Sequence, residues 1–280
     1  FCSFCVVPYT RGAEYSRPFD QIYSEAATLA KKGVKEITLL GQNVNNYHGV
    51  NICGKEFGLG RLIEKLSRIS GLERIRYTTS YPADMNTELI DAHKNVKTLM
   101  PFLHLPIQSG SNRILKLMKR RHSVEDYREL VFQLRLAEPN IAMSSDFMVG
   151  FPGETASDFD DTMSLVEEIK FANAFSFKFS ARPGTPAARF SGQISEEVKS
   201  TRLLRLQALL GAQQLEFNQE CVGKSLPVLL ENVGRRNGRL VGRSPFMQLV
   251  HVEAPKEFLG KITNLKIVAA RKSSLFGELV

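Results

Sequence analysis

Residues 141–170 read Ile141-Ala-Met-Ser-Ser-Asp-Phe-Met-Val149, then Gly150-Phe-Pro-Gly-Glu154, then Thr155-Ala-Ser-Asp-Phe-Asp-Asp-Thr-Met-Ser-Leu-Val-Glu-Glu-Ile-Lys170. The first run is short and mostly apolar, as a strand buried on both faces should be. A glycine- and proline-rich turn follows. The remainder predicts a helix. The same strand, turn and helix recur on either side. Upstream, strands are expected at 36–40, 74–80 and 102–107, and helices at 19–32, 60–69, 87–93, 112–118 and 123–137. Ser123 stands as N-cap of the last, with Asp126 at its third position. Downstream come a strand at 174–180 and a long helix at 195–220, capped by Ser195 with Glu196 and Glu197 in its first turn. Strands alternating with helices imply the α/β class and a parallel sheet covered by helices. Five strands are visible, and the segment before Phe19 reads as a loop, so a partial (β/α)6 barrel lacking its first strand is expected. A doubly wound open sheet is the competing architecture.

After Cys221 the texture changes. Short β-rich runs at 225–230, 238–241, 247–252 and 265–269 are punctuated by Gly234, Gly238, Gly242, Pro245, Pro255 and Gly260. They predict a small antiparallel β-barrel of the OB-like kind. The expected domains are residues 1–220 and 221–280.

The 280 residues are 43% hydrophobic, enough for a real core. No apolar run approaches the roughly 18 residues a membrane helix needs, and no segment reads as a signal peptide. Four cysteines are too few for a disulfide scaffold, so a reducing cytoplasm is expected, with Cys53 and Cys221 as free thiols. The chain starts at Phe1 without methionine and reads as a fragment. Of the net charge of +8, residues 222–280 carry +6. A basic small domain behind a nearly neutral large one points to a polyanion, nucleic acid first. A plain solvated basic surface is the alternative.

Cys2-Ser-Phe-Cys5 is a Cys-x-x-Cys. Its spacing alone fits half a zinc site, a redox pair or two iron–sulfur ligands. No second pair completes a zinc site, and His48, His93, His104, His122 and His251 stand at no ligand spacing. Pro8 discourages the helix that a redox pair would open. The turns after the strands are unusually polar and glycine-rich: Gly41-Gln-Asn43, Gln108-Ser-Gly-Ser-Asn112, Gly150-Phe-Pro-Gly153 and Arg182-Pro-Gly184. In parallel β/α folds, ligands gather at these strand ends.

Phe1-Cys-Ser-Phe-Cys-Val-Val-Pro-Tyr-Thr-Arg-Gly12 resembles the cluster loop of the radical-SAM methylthiotransferases, whose pattern is Cys-x-x-x-Cys-x-x-Cys. Cys2 and Cys5 match its second and third cysteines, and the first would lie just before Phe1. Leu39-Leu-Gly-Gln-Asn-Val-Asn-Asn-Tyr47 is more similar to the tRNA-modifying branch than to the branch acting on a ribosomal protein. His104-Leu-Pro-Ile-Gln-Ser-Gly-Ser-Asn112, Asp146-Phe-Met-Val-Gly-Phe-Pro-Gly-Glu154 and Arg182-Pro-Gly-Thr-Pro-Ala187 also match, and the C-terminal stretch resembles a TRAM domain.

The resemblance implies an enzyme that uses S-adenosylmethionine and a 4Fe–4S cluster to put a methylthio group on C2 of an isopentenylated adenosine beside the anticodon of tRNA. It further implies a second cluster on an N-terminal domain absent here, an electron-donor protein, a monomer and no membrane. The chain alone would then be inactive. Alternatives are methylthiolation of threonylcarbamoyl-adenosine or of a ribosomal protein, and a non-catalytic RNA-binding protein. Cys2 and Cys5 would be metal ligands. Phe4, Gly41, Gln42, Asn43, Ser109, Ser111, Asn112, Asp146, Gly150, Gly153 and Arg182 would face the cofactor. Arg235, Arg236, Arg239, Arg243, Arg271 and Lys272 would meet RNA phosphate. No side chain is assigned a catalytic role.

Overall fold

The computed structural model describes residues 2–234 and 238–280. The chain runs α1 (Val7–Arg11), α2 (Phe19–Lys31), β1 (Glu36–Leu39), β2 (His48–Val50), β3 (Glu56–Gly58), α3 (Leu59–Leu66), β4 (Arg74–Tyr77), α4 (Thr87–Asn95), β5 (Phe102–His104), α5 (Asn112–Leu117), α6 (Val124–Ala137), β6 (Ala142–Val149), α7 (Ala156–Ile169), β7 (Asn173–Lys178) and α8 (Glu196–Gln219). Five further strands follow: β8 (Ser225–Val233), β9 (Arg239–Arg243), β10 (Leu249–Glu253), β11 (Ile262–Arg271) and β12 (Ser274–Leu279). No helix among the described residues is long and apolar enough to cross a membrane.

β1 pairs with β4, β5 with β6, and β6 with β7, all parallel. A parallel bridge from Ile75 to Leu99, just ahead of β5, joins the two groups. Spatial order therefore follows chain order. A doubly wound sheet would reverse at a switch point; this one continues as an open part-barrel. Side chains alternate along each strand. Ile75, Tyr77, Leu103, Phe147 and Val149 pack with Leu62, Ile63, Leu66, Leu89, Tyr127, Val131, Leu165 and Val166 of the covering helices. Arg74, Arg76, His104, Ser144 and Asp146 take the other, inner face. α6 and α7 start with reciprocal caps, Ser123 with Asp126 and Thr155 with Asp158.

Two local expectations need correction. α1 forms directly after the cysteines although Pro8 was expected to discourage it, because proline is tolerated in a first turn whose N–H groups need no partner. The β2–β3 hairpin was not foreseen. Its strands have three residues each, too short for periodicity, and its turn is held by Asn51 Oδ1, which accepts from the Cys53 and Lys55 amides at 3.0 and 2.8 Å.

β8–β12 close into a barrel in the order β10-β12-β11-β8-β9. The small antiparallel, OB-like barrel expected from the sequence is present, with four antiparallel seams and one parallel, between β10 and β12. Five strands in a ring cannot alternate direction all the way round, so an odd closed barrel must contain a parallel pair.

Arg74 and Arg76 join the two domains. They are 2% and 3% exposed. Arg74 donates to the carbonyls of Arg243 (2.9 Å) and Pro227 (2.6 Å), and Arg76 to those of Pro245 and Ser244 (both 2.8 Å). Arg76 also donates to Glu36 at 3.0 Å. Burial pushes both guanidinium pKa values down, opposed by the Glu36 charge. At the end of α8, Asn218 donates to the carbonyls of Arg271 and Lys272 at 2.8 and 2.9 Å. Arg76→Ala leaves two carbonyls without their donor and Glu36 with Arg74 alone. We expect a loss of about 3–5 kcal/mol in chemical denaturation, against less than about 1 kcal/mol for Arg128→Ala, which removes the exposed pair with Glu168.

Candidate functional site

The cysteine turn sits at the carboxyl end of the part-barrel, fastened by Ser3. The Ser3 amide donates to Met118 O at 3.0 Å, its hydroxyl donates to Leu117 O at 2.8 Å, and its carbonyl accepts from the Ala187 amide at 2.9 Å. The last carbonyls of a helix lack internal partners, so the end of α5 is a natural anchor for the turn. Cys5 N donates to Cys2 O at 3.2 Å. Both cysteines are free thiols, part-exposed. Phe4 meets Phe151 edge-on at 6.4 Å and packs on a small cluster of Ile114, Met118, Phe151, Phe179 and Ala187.

Arg120 lies beside the turn, with Nη1 3.6 Å from Cys2 Sγ and another arm bound to the Pro106 carbonyl. Its guanidinium stacks on Tyr81 at 4.5 Å. The Tyr81 hydroxyl accepts from the Arg121 amide at 2.7 Å, and Arg121 pairs with Asp84 at 3.0 Å. Asn43 donates to the same Asp84 at 2.6 Å. One chain of contacts thus links the Gly41-Gln42-Asn43 loop to Cys2, although 41 residues separate Asn43 from Cys2 in sequence. Asn43 Oδ1 and Arg120 Nε are buried with no partner among the described residues. A charged donor left open beside the Cys2 thiol, with an open acceptor at the other end of this chain of contacts, fits a polar cofactor held next to a thiolate-bound cluster. Cys2 and Cys5 supply two such ligands. Among the described residues no group of three His, Cys, Asp or Glu is placed to hold a metal by itself.

Other expected cofactor residues are engaged within the protein. Ser111 caps α5 and donates to Asp158 at 2.6 Å. Ser109 faces Thr162 at 3.4 Å. Asn112 bridges Glu125 (2.7 Å) and the Val124 amide (2.7 Å), joining α5 to α6. Gly150 has φ +70°, and a methyl group there would fall 2.2 Å from Lys199 Cγ. Its amide donates to Glu154 at 2.8 Å, which is itself paired with Arg202 at 2.5 Å, and burial raises the Glu154 pKa. Gly153 donates to the Gly192 carbonyl at 2.8 Å. Gln42 and Arg182 are exposed.

Asp146 lies on the inner face, 3.5 Å from His104 Nε2, while His104 Nδ1 is 3.0 Å from Ser144 Oγ. Phe175 stands edge-on to His104 at 6.1 Å. Phe175 and Phe177 remain 52% and 56% exposed, so two large aromatics on the inner face lack protein cover. On the small barrel, Arg239 pairs with Glu253 at 3.3 Å, and Arg243 reaches the Met247 carbonyl at 3.1 Å. Arg271 stacks on Phe276 at 5.2 Å, and Lys272 lies over Gly211 of α8. Arg235 and Arg236 lie outside the described residues. Reading the sequence missed Ser3, Tyr81, Asp84, Arg120, Arg121 and His104. The Arg120-Arg121 pair directly after α5 was the one local signal for them.

A family model described as the radical SAM superfamily matches residues 1–166, more than half of the chain. The chain belongs to the radical SAM superfamily. A TRAM domain model matches residues 219–280. Over its whole length the chain is 56% identical to a tRNA-2-methylthio-N(6)-dimethylallyladenosine synthase of Agrobacterium fabrum and 53% identical to one of Maricaulis maris. It covers 61% and 62% of them, so it spans about three fifths of these relatives' length. The radical SAM methyltransferase TsrM of Kitasatospora setae shares the fold, with a TM-score of 0.54 at 17% identity over 86% of this chain and 39% of that one. Membership in this superfamily agrees with the donor set of the cysteine turn, two thiols with the open Arg120 guanidinium beside Cys2.

His93 and His122 give the radical SAM domain a pH signature. Burial lowers both to about 4 from the usual 6.5. His93 Nε2 bonds the Tyr77 hydroxyl at 2.6 Å, and neither ring nitrogen of His122 has a partner among the described residues. Between these values the unfolded chain binds protons that the folded chain refuses. Stability should be full above about pH 6.5 and fall as pH drops toward 4. Melting temperatures measured across that range should decline, and less steeply in His122→Asn.

Proposed function

We propose that the protein is a tRNA-modifying enzyme that replaces the C2 hydrogen of an N6-dimethylallyl adenosine beside the anticodon with a methylthio group. The reading includes a cytoplasmic monomer that takes electrons from a donor protein. Supporting it most is the cysteine turn, seated by Ser3 at the carboxyl rim with Arg120 against Cys2. The relatives' names supply the substrate class.

That C2–H is neither acidic nor hydridic, so general acid–base catalysis cannot remove it, and the cofactor must supply the radical chemistry. The chain's own groups then bind, orient and exclude water. Cys2 and Cys5 would hold the cluster. Asn43 Oδ1 and Arg120 would bind polar groups of S-adenosylmethionine. Gly41, Gln42, Gly150, Gly153 and Arg182, in loops after the strands, and Asp146 on the inner face are further candidates. Phe4 supports the turn by packing. Residues 1–220 would carry the chemistry and 221–280 the RNA. Arg271 and Lys272 are the favoured phosphate contacts, since Arg239 and Arg243 already have carboxylate or carbonyl partners.

In the full-length protein reconstituted with iron and sulfide, the Cys2→Ala/Cys5→Ala variant should lose one cluster's worth of iron. Its methylthiolation of a prenylated anticodon hairpin, followed by mass spectrometry, should fall to background. Unchanged iron and activity would refute the assignment. Arg271→Ala/Lys272→Ala should weaken RNA binding across sequences. It should also flatten the salt dependence, by about 0.7–0.9 in log K per log salt for each phosphate no longer neutralised. Anisotropy titrations at several salt concentrations measure this.

A further inference from the structure

Between the inner face of the part-barrel and the turn joining β9 to β10 lies a cavity of about 350 Å³. Phe102, His104 and Phe175 line it from the strands, Phe217 from α8, and Phe246 and Met247 from the turn. We propose that this cavity receives the N6 substituent of the target adenine, and that Met247 of the TRAM domain selects a prenylated base over a bare one. The inference rests on the tRNA-modifying reading above and extends it to a specificity residue in the domain otherwise assigned to phosphate binding.

Position comes first. Parallel strands serve as a ruler of about 3.3 Å per residue. Ser144 borders the cavity and Val149 ends the strand near the rim, so the cavity lies roughly 16 Å below the rim. In adenine, C2 and N6 diverge across N1. A base that offers C2 to the rim therefore sends an N6 arm away from it, into the interior. Asp146 and Phe177 lie further up the strands, between the cavity and the rim at the level of the heterocycle, and the exposed face of Phe177 is free to stack on it.

Size and lining come next. A volume near 350 Å³ is at the small end for ligand pockets, suited to one base edge with a short alkyl arm. Aromatic rings and a thioether, which adapts to irregular apolar shapes, form its apolar wall, and Ser144, Asn173, Gln214, Asn218 and Gln248 add polar groups.

Backbone strain points the same way. Met247 has φ +68°, a left-handed conformation that a glycine would adopt freely. The turn is over-determined. Met247 N donates to Ser244 O at 3.1 Å, Ser244 N donates to Gln248 O at 3.0 Å, and Gln248 donates to Asn218 at 2.7 Å. A bulky residue held in this conformation, with its side chain lining a cavity, is explained by what the side chain touches there.

The test measures binding of two anticodon hairpins to the full-length protein by fluorescence anisotropy, one with an N6-dimethylallyl adenosine and one with plain adenosine. The unsubstituted protein should bind the prenylated hairpin at least about tenfold more tightly, as expected from partly burying five carbons. Met247→Gly relieves the backbone, so its melting temperature should hold or rise while the preference shrinks several-fold. Met247→Leu should restore it. An undiminished preference in Met247→Gly, or no preference in the unsubstituted protein, overturns this inference and leaves the proposed function standing. Failure to bind either hairpin overturns both.

Discussion

Arg74 and Arg76 are buried on the inner face of the part-barrel with one carboxylate, Glu36, between them. One acid cannot satisfy two guanidinium groups. The remaining donors find carbonyls at Pro227, Arg243, Ser244 and Pro245, all in the other domain. Leaving such charges without acceptors costs several kcal/mol. The small barrel is therefore a structural requirement of the large one. Its β9–β10 turn becomes a fixed floor, and the cavity above that floor inherits a defined shape.

The opposite end is organised by a lighter device. Ser3 turns the cysteine segment onto the carbonyls at the end of α5, and Arg120 and Tyr81 continue the link to Asp84 and Asn43. A rim of thiols and open polar groups faces a floor of aromatic and thioether groups. Between them the inner face carries His104, Asp146, Phe175 and Phe177. On the proposed function, chemistry at the rim and recognition at the floor would share one chamber.

The strand and helix order was legible in the sequence because it follows from hydrophobic period and from caps such as Ser123, Thr155 and Ser195. The strand ends were overestimated at β4 and β5: Thr78-Thr79-Ser80 leave the sheet after Tyr77, and β5 stops at His104, ahead of Pro106, which has no N–H to give a ladder. Cys2 and Cys5 stood out from spacing and from the motifs around them, and their turn is fastened by Ser3 to the end of α5. Ser109, Ser111 and Asn112 illustrate a limit: serine and asparagine after a strand serve caps and ties as readily as ligands, and here they bond Asp158, Thr162 and Glu125. The inward pairing of His104 with Asp146 depends on strand register across 42 residues, which no local pattern encodes. The same holds for the arginines that join the domains.

The target base is held to enter the chamber between the cysteine rim and the TRAM floor, and photo-cross-linking tests this most directly. An anticodon hairpin carrying a diazirine on N6 of the target adenosine would be irradiated with the full-length protein, and the labelled peptides identified by mass spectrometry. Adducts are predicted on the inner face and floor, at Phe102–His104, Phe175–Phe177 and Phe246–Met247. Adducts confined to the outer helices, such as α3 or α6, would contradict that placement.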